Sequence, residues 1–191
     1  YFSDFMYVAA DEIMSKAAKW RFNSGGTQQL PVVFMATIGG YGKSGPEHSQ
    51  TPLAYYMHTP GLKVAVPSTP YDAKGLMKAA IRDNNPVCYF YHKTILGLTG
   101  EIPEDDYIVP LGKADVKREG TDVTVVAIGY MVQMALKIAD ELKDKISVEV
   151  VDPRCLEPLD IDTILTSVKK TARALMVDEG VDYCGATAEI G

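Results

Sequence analysis

The second half of the chain alternates short apolar runs with longer amphipathic stretches, and that rhythm permits few folds. Val123–Ile128 reads as a buried strand, Val132–Leu142 as a helix and Val148–Val151 as a strand; Asp160–Lys170 is again helical and Ala174–Val177 again extended. Strands separated by a helix cannot close as hairpins. They pair in parallel, joined by right-handed crossovers. Asp160 caps the second helix and Lys169 and Lys170 stand at its carbonyl end, so both ends agree with the backbone dipole. Val116–Arg118 reads as an edge strand ahead of this unit.

The first half repeats the rhythm less cleanly. Val8–Phe22 predicts a helix with Val8, Ile13, Ala17, Ala18 and Trp20 on its apolar face, ended by Ser24-Gly25-Gly26. Leu30–Phe34 predicts a strand, Gln50–His58 a short helix and Leu62–Val66 a parallel strand. Ser68-Thr69-Pro70 opens a helix over Tyr71–Arg82, and Val87–Tyr91 predicts a further strand. Lys93–Gly112 breaks the pattern with Pro103, Pro110 and the acidic run Glu104-Asp105-Asp106, as a connection between domains would. The expected fold class is α/β, with a first domain over 1–98, a linker over 99–115 and a second domain over 116–191.

Bulk composition narrows the function classes. A chain of 191 residues, 47% hydrophobic and 23% charged, can bury a substantial core. Its formal charge of −6 gives no electrostatic case for nucleic acid, and no apolar run is long enough to span a bilayer. Cys88, Cys155 and Cys184 are odd in number and far apart, which predicts neither a zinc site nor a disulfide framework and suits a reducing compartment. Tyr1-Phe2-Ser3-Asp4-Phe5 and Ala188-Glu189-Ile190-Gly191 lie in structured-looking sequence, so both ends are expected to be cuts through a longer protein.

Chemistry concentrates after the first strand. Thr37-Ile38-Gly39-Gly40-Tyr41-Gly42-Lys43 forms a glycine-rich loop that runs into Gly45-Pro46-Glu47-His48-Ser49-Gln50. Ligands of α/β proteins bind beyond the strand ends, so His48 is either a functional imidazole or a loop histidine bonded to backbone. The loop is not a P-loop, because Gly42-Lys43-Ser44 lacks the preceding glycine and the following helix of that motif; Lys43 is expected in solvent. His58 and His92 read as a helix cap and a strand-end residue. Tyr1, Phe2, Phe5 and Tyr7 form either core or a stacking face for a flat heterocycle, with core preferred. Ala80-Ile81-Arg82-Asp83-Asn84-Asn85-Pro86 ends a helix whose free carbonyls serve as an ordinary cap or hold a monovalent cation. Asp178-Glu179-Gly180, just past the last strand, is open between a catalytic and a docking role.

Taken together these segments resemble the E1 β subunits of thiamine-diphosphate-dependent 2-oxo acid dehydrogenases, the acetoin branch included. The resemblance rests on His48-Ser49-Gln50, Pro60-Gly61-Leu62-Lys63-Val64, the run Pro67–Leu76, Ala80–Val87, Pro110-Leu111-Gly112-Lys113-Ala114, Arg118–Val125 and Asp152-Pro153-Arg154, in order over nearly the whole chain. It implies a transketolase-like pyrimidine-binding domain followed by the start of a transketolase C-terminal domain. It further implies an α2β2 assembly sharing thiamine diphosphate, with Mg2+ on the α subunit, and acyl transfer to a lipoyl-bearing E2 acyltransferase. The substrate would be a small 2-oxo acid or acetoin; the compartment would be the bacterial cytoplasm or the mitochondrial matrix.

Residue by residue, the resemblance implies a catalytic role for His48 in proton transfer and acyl delivery. It puts Phe5 beside the aminopyrimidine and Tyr1 at a further cofactor-side position, where relatives can carry glutamine. The activating glutamate would precede Tyr1. A potassium site would fall on oxygens of Val32, Ala80, Ile81, Asp83 and Asn85. Three departures stand out: Tyr91 where relatives carry an acidic residue, Met35 where arginine is common, and Ile38 in the glycine loop. Two other readings remain: a non-catalytic assembly module of such a complex, or part of a single-chain transketolase-type enzyme.

Overall fold

A computed structural model describes every residue, 1–191. In chain order the strands are β1 (Val33–Ile38), β2 (Lys63–Ala65), β3 (Val87–His92), β4 (Asp115–Arg118), β5 (Val123–Ala127), β6 (Val148–Asp152), β7 (Cys155–Glu157) and β8 (Ala174–Val177). The helices are α1 (Trp20–Asn23), α2 (Leu53–Met57), α3 (Pro70–Ile81), α4 (Tyr130–Glu141), α5 (Ile161–Thr171) and α6 (Ala186–Ile190). They build two four-stranded sheets, ordered β1-β3-β2-β7 and β4-β6-β5-β8. In each, three strands run parallel and one antiparallel strand closes an edge. Parallel strands with both faces covered need near-continuous apolar sequence, which Val87-Cys88-Tyr89-Phe90 supplies; all four are buried.

The sheets are tied together by the short strand β7. It follows β6 of the second sheet by two residues, yet pairs with β2 of the first. Arg154 makes that reversal in the left-handed backbone region, at φ 59. One core cluster accordingly draws on both sheets, with Val64, Phe90, Val126, Val151 and Leu156 in contact.

Several local expectations shift. The stretch expected as one helix over Val8–Phe22 is a tight 3-10 segment at Ser3–Ala9, a π-helical segment at Asp11–Ala17 and the single turn of α1. The apolar positions there include Val8, 92% exposed, so the face is not one straight stripe. The first strand lies three residues later than Leu30–Phe34, because Pro31 lacks an N–H and the ladder with β3 starts at Val33. Thr37 and Ile38 are therefore buried strand residues, and the glycine loop begins at Gly39. The connecting segment is strapped to α3. Tyr107 stacks on Tyr71 with ring centroids 4.5 Å apart. Lys74 Nζ donates to the Pro103 carbonyl at 2.7 Å, and Asp106 pairs with Lys78 and Arg82. No helix is long and apolar enough to cross a membrane.

Candidate functional site

The β1–β3 register pairs Ile38 with His92, so the glycine loop leaves β1 beside the end of β3. Gly39 then passes the imidazole of His92 at a distance no side chain tolerates: a Cβ there would lie 2.0 Å from Nε2, and φ is +120. The loop returns through a short turn at Pro46–His48. This sets His48, half-buried, at the C-terminal edge of the first sheet.

The opening residues form one wall of this place. The Tyr1 carbonyl accepts the Thr37 N–H at 2.9 Å and Phe2 bridges to Thr37, which fixes the start of the chain along β1. Phe2 and Phe5 turn ring edges onto His48, with centroids at 4.5 and 5.4 Å. Phe5 is 47% exposed and Tyr1 is 97% exposed, so the preference for a core role is corrected: these rings face outward because no part of the chain covers them. Tyr1 makes its contact through backbone rather than ring. Phe2, which the resemblance passed over, lies nearer to His48 than Phe5 does. A half-exposed ring beside an imidazole suits a flat heteroaromatic ligand, whose face an aromatic edge can meet.

Backbone and side chains brace the loop. The His48 N–H donates to the Gly45 carbonyl at 3.2 Å, and Lys93 Nζ donates to the His48 carbonyl at 2.9 Å. Tyr7 donates its hydroxyl to Gln50 Oε1 at 3.2 Å. A cleft of about 740 Å³ runs alongside, lined among others by Tyr7, Gln50, Tyr55, His58, Asp178 and Glu179.

His92 and Glu179 stand at the meeting of the two sheets. His92 is 1% exposed and its Nε2 contacts Glu179 Oε2, a close polar contact that no aligned hydrogen bond completes. Tyr130, at the start of α4, stacks on the imidazole with centroids 5.1 Å apart. Burial opposes the Glu179 charge, but the His92 contact and the Tyr41 N–H outweigh it and hold the carboxyl below its ordinary range. Its neighbour Asp178 is shifted upward, chiefly by burial. A histidine at a strand end and an acidic pair after another strand gave only weak signals, since the contact joins residues 87 positions apart, 92 and 179.

The corner expected to take potassium is assembled but already engaged. The Val32 carbonyl accepts the Val87 N–H at 2.9 Å, and the Ala80 carbonyl takes the N–H groups of Arg82 and Asp83. Asp83 pairs with Lys63 through one carboxylate oxygen, while the other accepts from the Asn85 backbone at 2.8 Å and its side chain at 3.1 Å. Ile81 is 62% exposed. Lys63 thus already supplies a cation to the carboxylate, which leaves the second lone pairs of the carbonyls as the ligands for an ion. Of the three departures, Met35 projects into solvent from edge strand β1, Tyr91 is half-buried on β3, and Ile38 is core. Lys43 is exposed; Cys88 is core, its thiol pushed up to about 12 by burial.

The fold is a two-sheet, mainly parallel α/β protein with the glycine loop and His48 at the carboxyl edge of its first sheet. Residues 1–99 match the transketolase pyrimidine-binding domain and residues 112–191 match the transketolase C-terminal domain; the chain belongs to that family. It is 46% identical over 190 residues to the β subunit of acetoin:2,6-dichlorophenolindophenol oxidoreductase from Bacillus subtilis (strain 168), covering 99% of this chain and 56% of that one. It is 48% identical to the 2-oxoisovalerate dehydrogenase subunit beta of the same organism, covering 99% and 58%. The corresponding figure for its pyruvate dehydrogenase E1 component subunit beta is 47%, covering 99% and 59%. Among solved structures, a split-gene transketolase described as an inactive beta4 tetramer superposes with a TM-score of 0.79 at 28% identity, covering 99% of this chain and 60% of that one. The chain spans less than three-fifths of the length of these curated relatives.

Proposed function

We propose that this chain belongs to an E1 β subunit acting on a 2-oxo acid or on acetoin. The observation that carries the reading is His48, half-buried at the sheet edge against the edges of Phe2 and Phe5. The 46–48% identity to β subunits of three such dehydrogenases supports it. In this reading thiamine diphosphate supplies the carbanion stabilisation. Phe5 and Phe2 would hold the aminopyrimidine beside His48, with Tyr1 as a further cofactor-side position. His48 takes and returns a proton at an imidazole nitrogen; Lys93 fixes its backbone, and the ring edges of Phe2 and Phe5 limit where the imidazole can turn. Diphosphate and Mg2+ belong to an α partner in an α2β2 assembly, and the acyl group passes to a lipoyl-bearing E2. Potassium would sit on the carbonyls of Val32, Ala80 and Ile81 near Asp83 and Asn85. The setting is the bacterial cytoplasm or the mitochondrial matrix.

The test is thiamine-diphosphate-dependent reduction of a lipoyl domain by the full-length β chain with its α partner. His48→Ala is expected to lower the rate by about 10²–10⁴-fold, the usual weight of a positioned acid–base group. An unchanged rate in every half-reaction overturns the role of His48. A second reading, a non-catalytic assembly module, draws support from the structural relative's description as an inactive tetramer; it predicts no lipoyl reduction at all by the wild-type pair.

A further inference from the structure

Three consecutive side chains at the end of β3 hold the loop that carries His48. Thr94 Oγ1 donates to the Tyr41 carbonyl at 3.2 Å. Lys93 Nζ donates to the His48 carbonyl at 2.9 Å and lies 3.3 Å from both Ser44 Oγ and Ser49 Oγ. His92 reaches the same loop through Glu179, whose Oε1 accepts the Tyr41 N–H at 2.6 Å and lies beside Gly40. The tautomer follows from the partners. Nδ1 of His92 accepts the Thr94 N–H at 3.1 Å, so it carries no proton, and the neutral ring places its proton on Nε2 beside Glu179.

Glu179 belongs to the second sheet's edge and the other three to the first. A glycine-rich loop with few side chains to bury has little packing of its own to order it. Its order therefore depends on these polar contacts, and the one from Glu179 comes from the other domain. We propose that His92, Lys93, Thr94 and Glu179 form a clasp between the two domains that positions His48. They are positioning residues: none touches reacting atoms, and each acts through the backbone of Gly40, Tyr41 or His48 or through a side chain of the clasp. The kinetic part of this inference rests on the reading of His48 above; the structural part does not.

The test uses the full-length protein with its α partner and three variants, Glu179→Gln, Lys93→Met and Lys93→Arg. Amide hydrogen exchange reports the clasp without reference to activity. Glu179→Gln and Lys93→Met are expected to raise exchange at Gly40, Tyr41 and His48 by about tenfold or more while β1 and β5 amides stay protected. Lipoyl reduction is expected to lose about ten- to a hundredfold in kcat with KM nearly unchanged, since a misplaced group costs rate more than binding. Lys93→Arg, which keeps the cation, is expected to restore most of that rate. Unaltered exchange over residues 39–50 in both Glu179→Gln and Lys93→Met overturns the clasp. So does loss of protection throughout both sheets, which would make these groups general supports. If the wild-type pair lacks lipoyl reduction, the reading of the function fails, and the exchange result alone decides the clasp.

Discussion

Gly39 shows what one residue can decide here. Its φ of +120 and the 2.0 Å approach to His92 leave no room for a side chain. Gly39→Ala is expected to destabilise the protein by about 1–3 kcal/mol from backbone strain alone, with the steric clash added. Thermal unfolding measures this, and a loss under about 0.5 kcal/mol would mean that the loop moves away at little cost. The glycine content of this loop was plain in the sequence. Which glycine was irreplaceable was not, because the neighbour it meets is 53 residues away, His92. The same holds for the aromatics: their presence was legible, and their exposure depended on what the rest of the chain failed to cover.

At the scale of the element, α5 and its cap followed the sequence closely. Asp160 accepts the Thr163 N–H at 3.4 Å and the Thr163 hydroxyl at 2.9 Å, as an N-cap should. It also accepts the Ala114 N–H at 3.1 Å, which ties the helix start to the segment before β4. Burial opposes the Asp160 charge, but these donors prevail and lower its pKa. Its contribution is present above the unfolded value of about 3.9 and is lost as pH falls through the folded one. Asp160→Ala is expected to cost about 1–2 kcal/mol at neutral pH and progressively less in acid, as denaturant unfolding at several pH values would record. By contrast, the three-residue β7 had no readable signal. Cys155-Leu156-Glu157 is too short for a period, and its pairing with β2 is antiparallel and remote.

At the scale of the whole molecule, the two sheets meet through a buried ionic network. Lys117 Nζ reaches Asp72 at 2.5 Å and Asp115 at 2.8 Å, and Arg154 Nε reaches Asp72 at 2.7 Å. Asp152, with Ser68 bonded to it, lies at the centre. Desolvation first, with help from Asp72, raises its carboxyl to about 6 against the pull of Lys117 and Ser68. An unfolded aspartate titrates at about 3.9, so between the two values the native protein binds the extra proton. Stability from this group therefore falls as pH rises through that window, by on the order of 3 kcal/mol. Asp152→Asn removes the titration. Relative to wild type, the variant is expected to gain stability between about pH 4 and 7, and a pH-independent difference in denaturant midpoint would exclude the effect.

The alternation of apolar runs with helices determined the parallel α/β class by itself, because local periodicity alone dictates which faces must be buried. Motif order did the same for the family, and His48 was legible as a strand-end imidazole on a mobile-looking loop. Three things were left to the tertiary structure: the ring edges of Phe2 and Phe5 on His48, the His92–Glu179 contact, and the β7 strand that joins the sheets. Each joins residues distant in sequence through contacts of a few ångströms, and such contacts leave no period or spacing in the chain. They arise only when the register of one sheet and the docking of the other bring the same strand ends together.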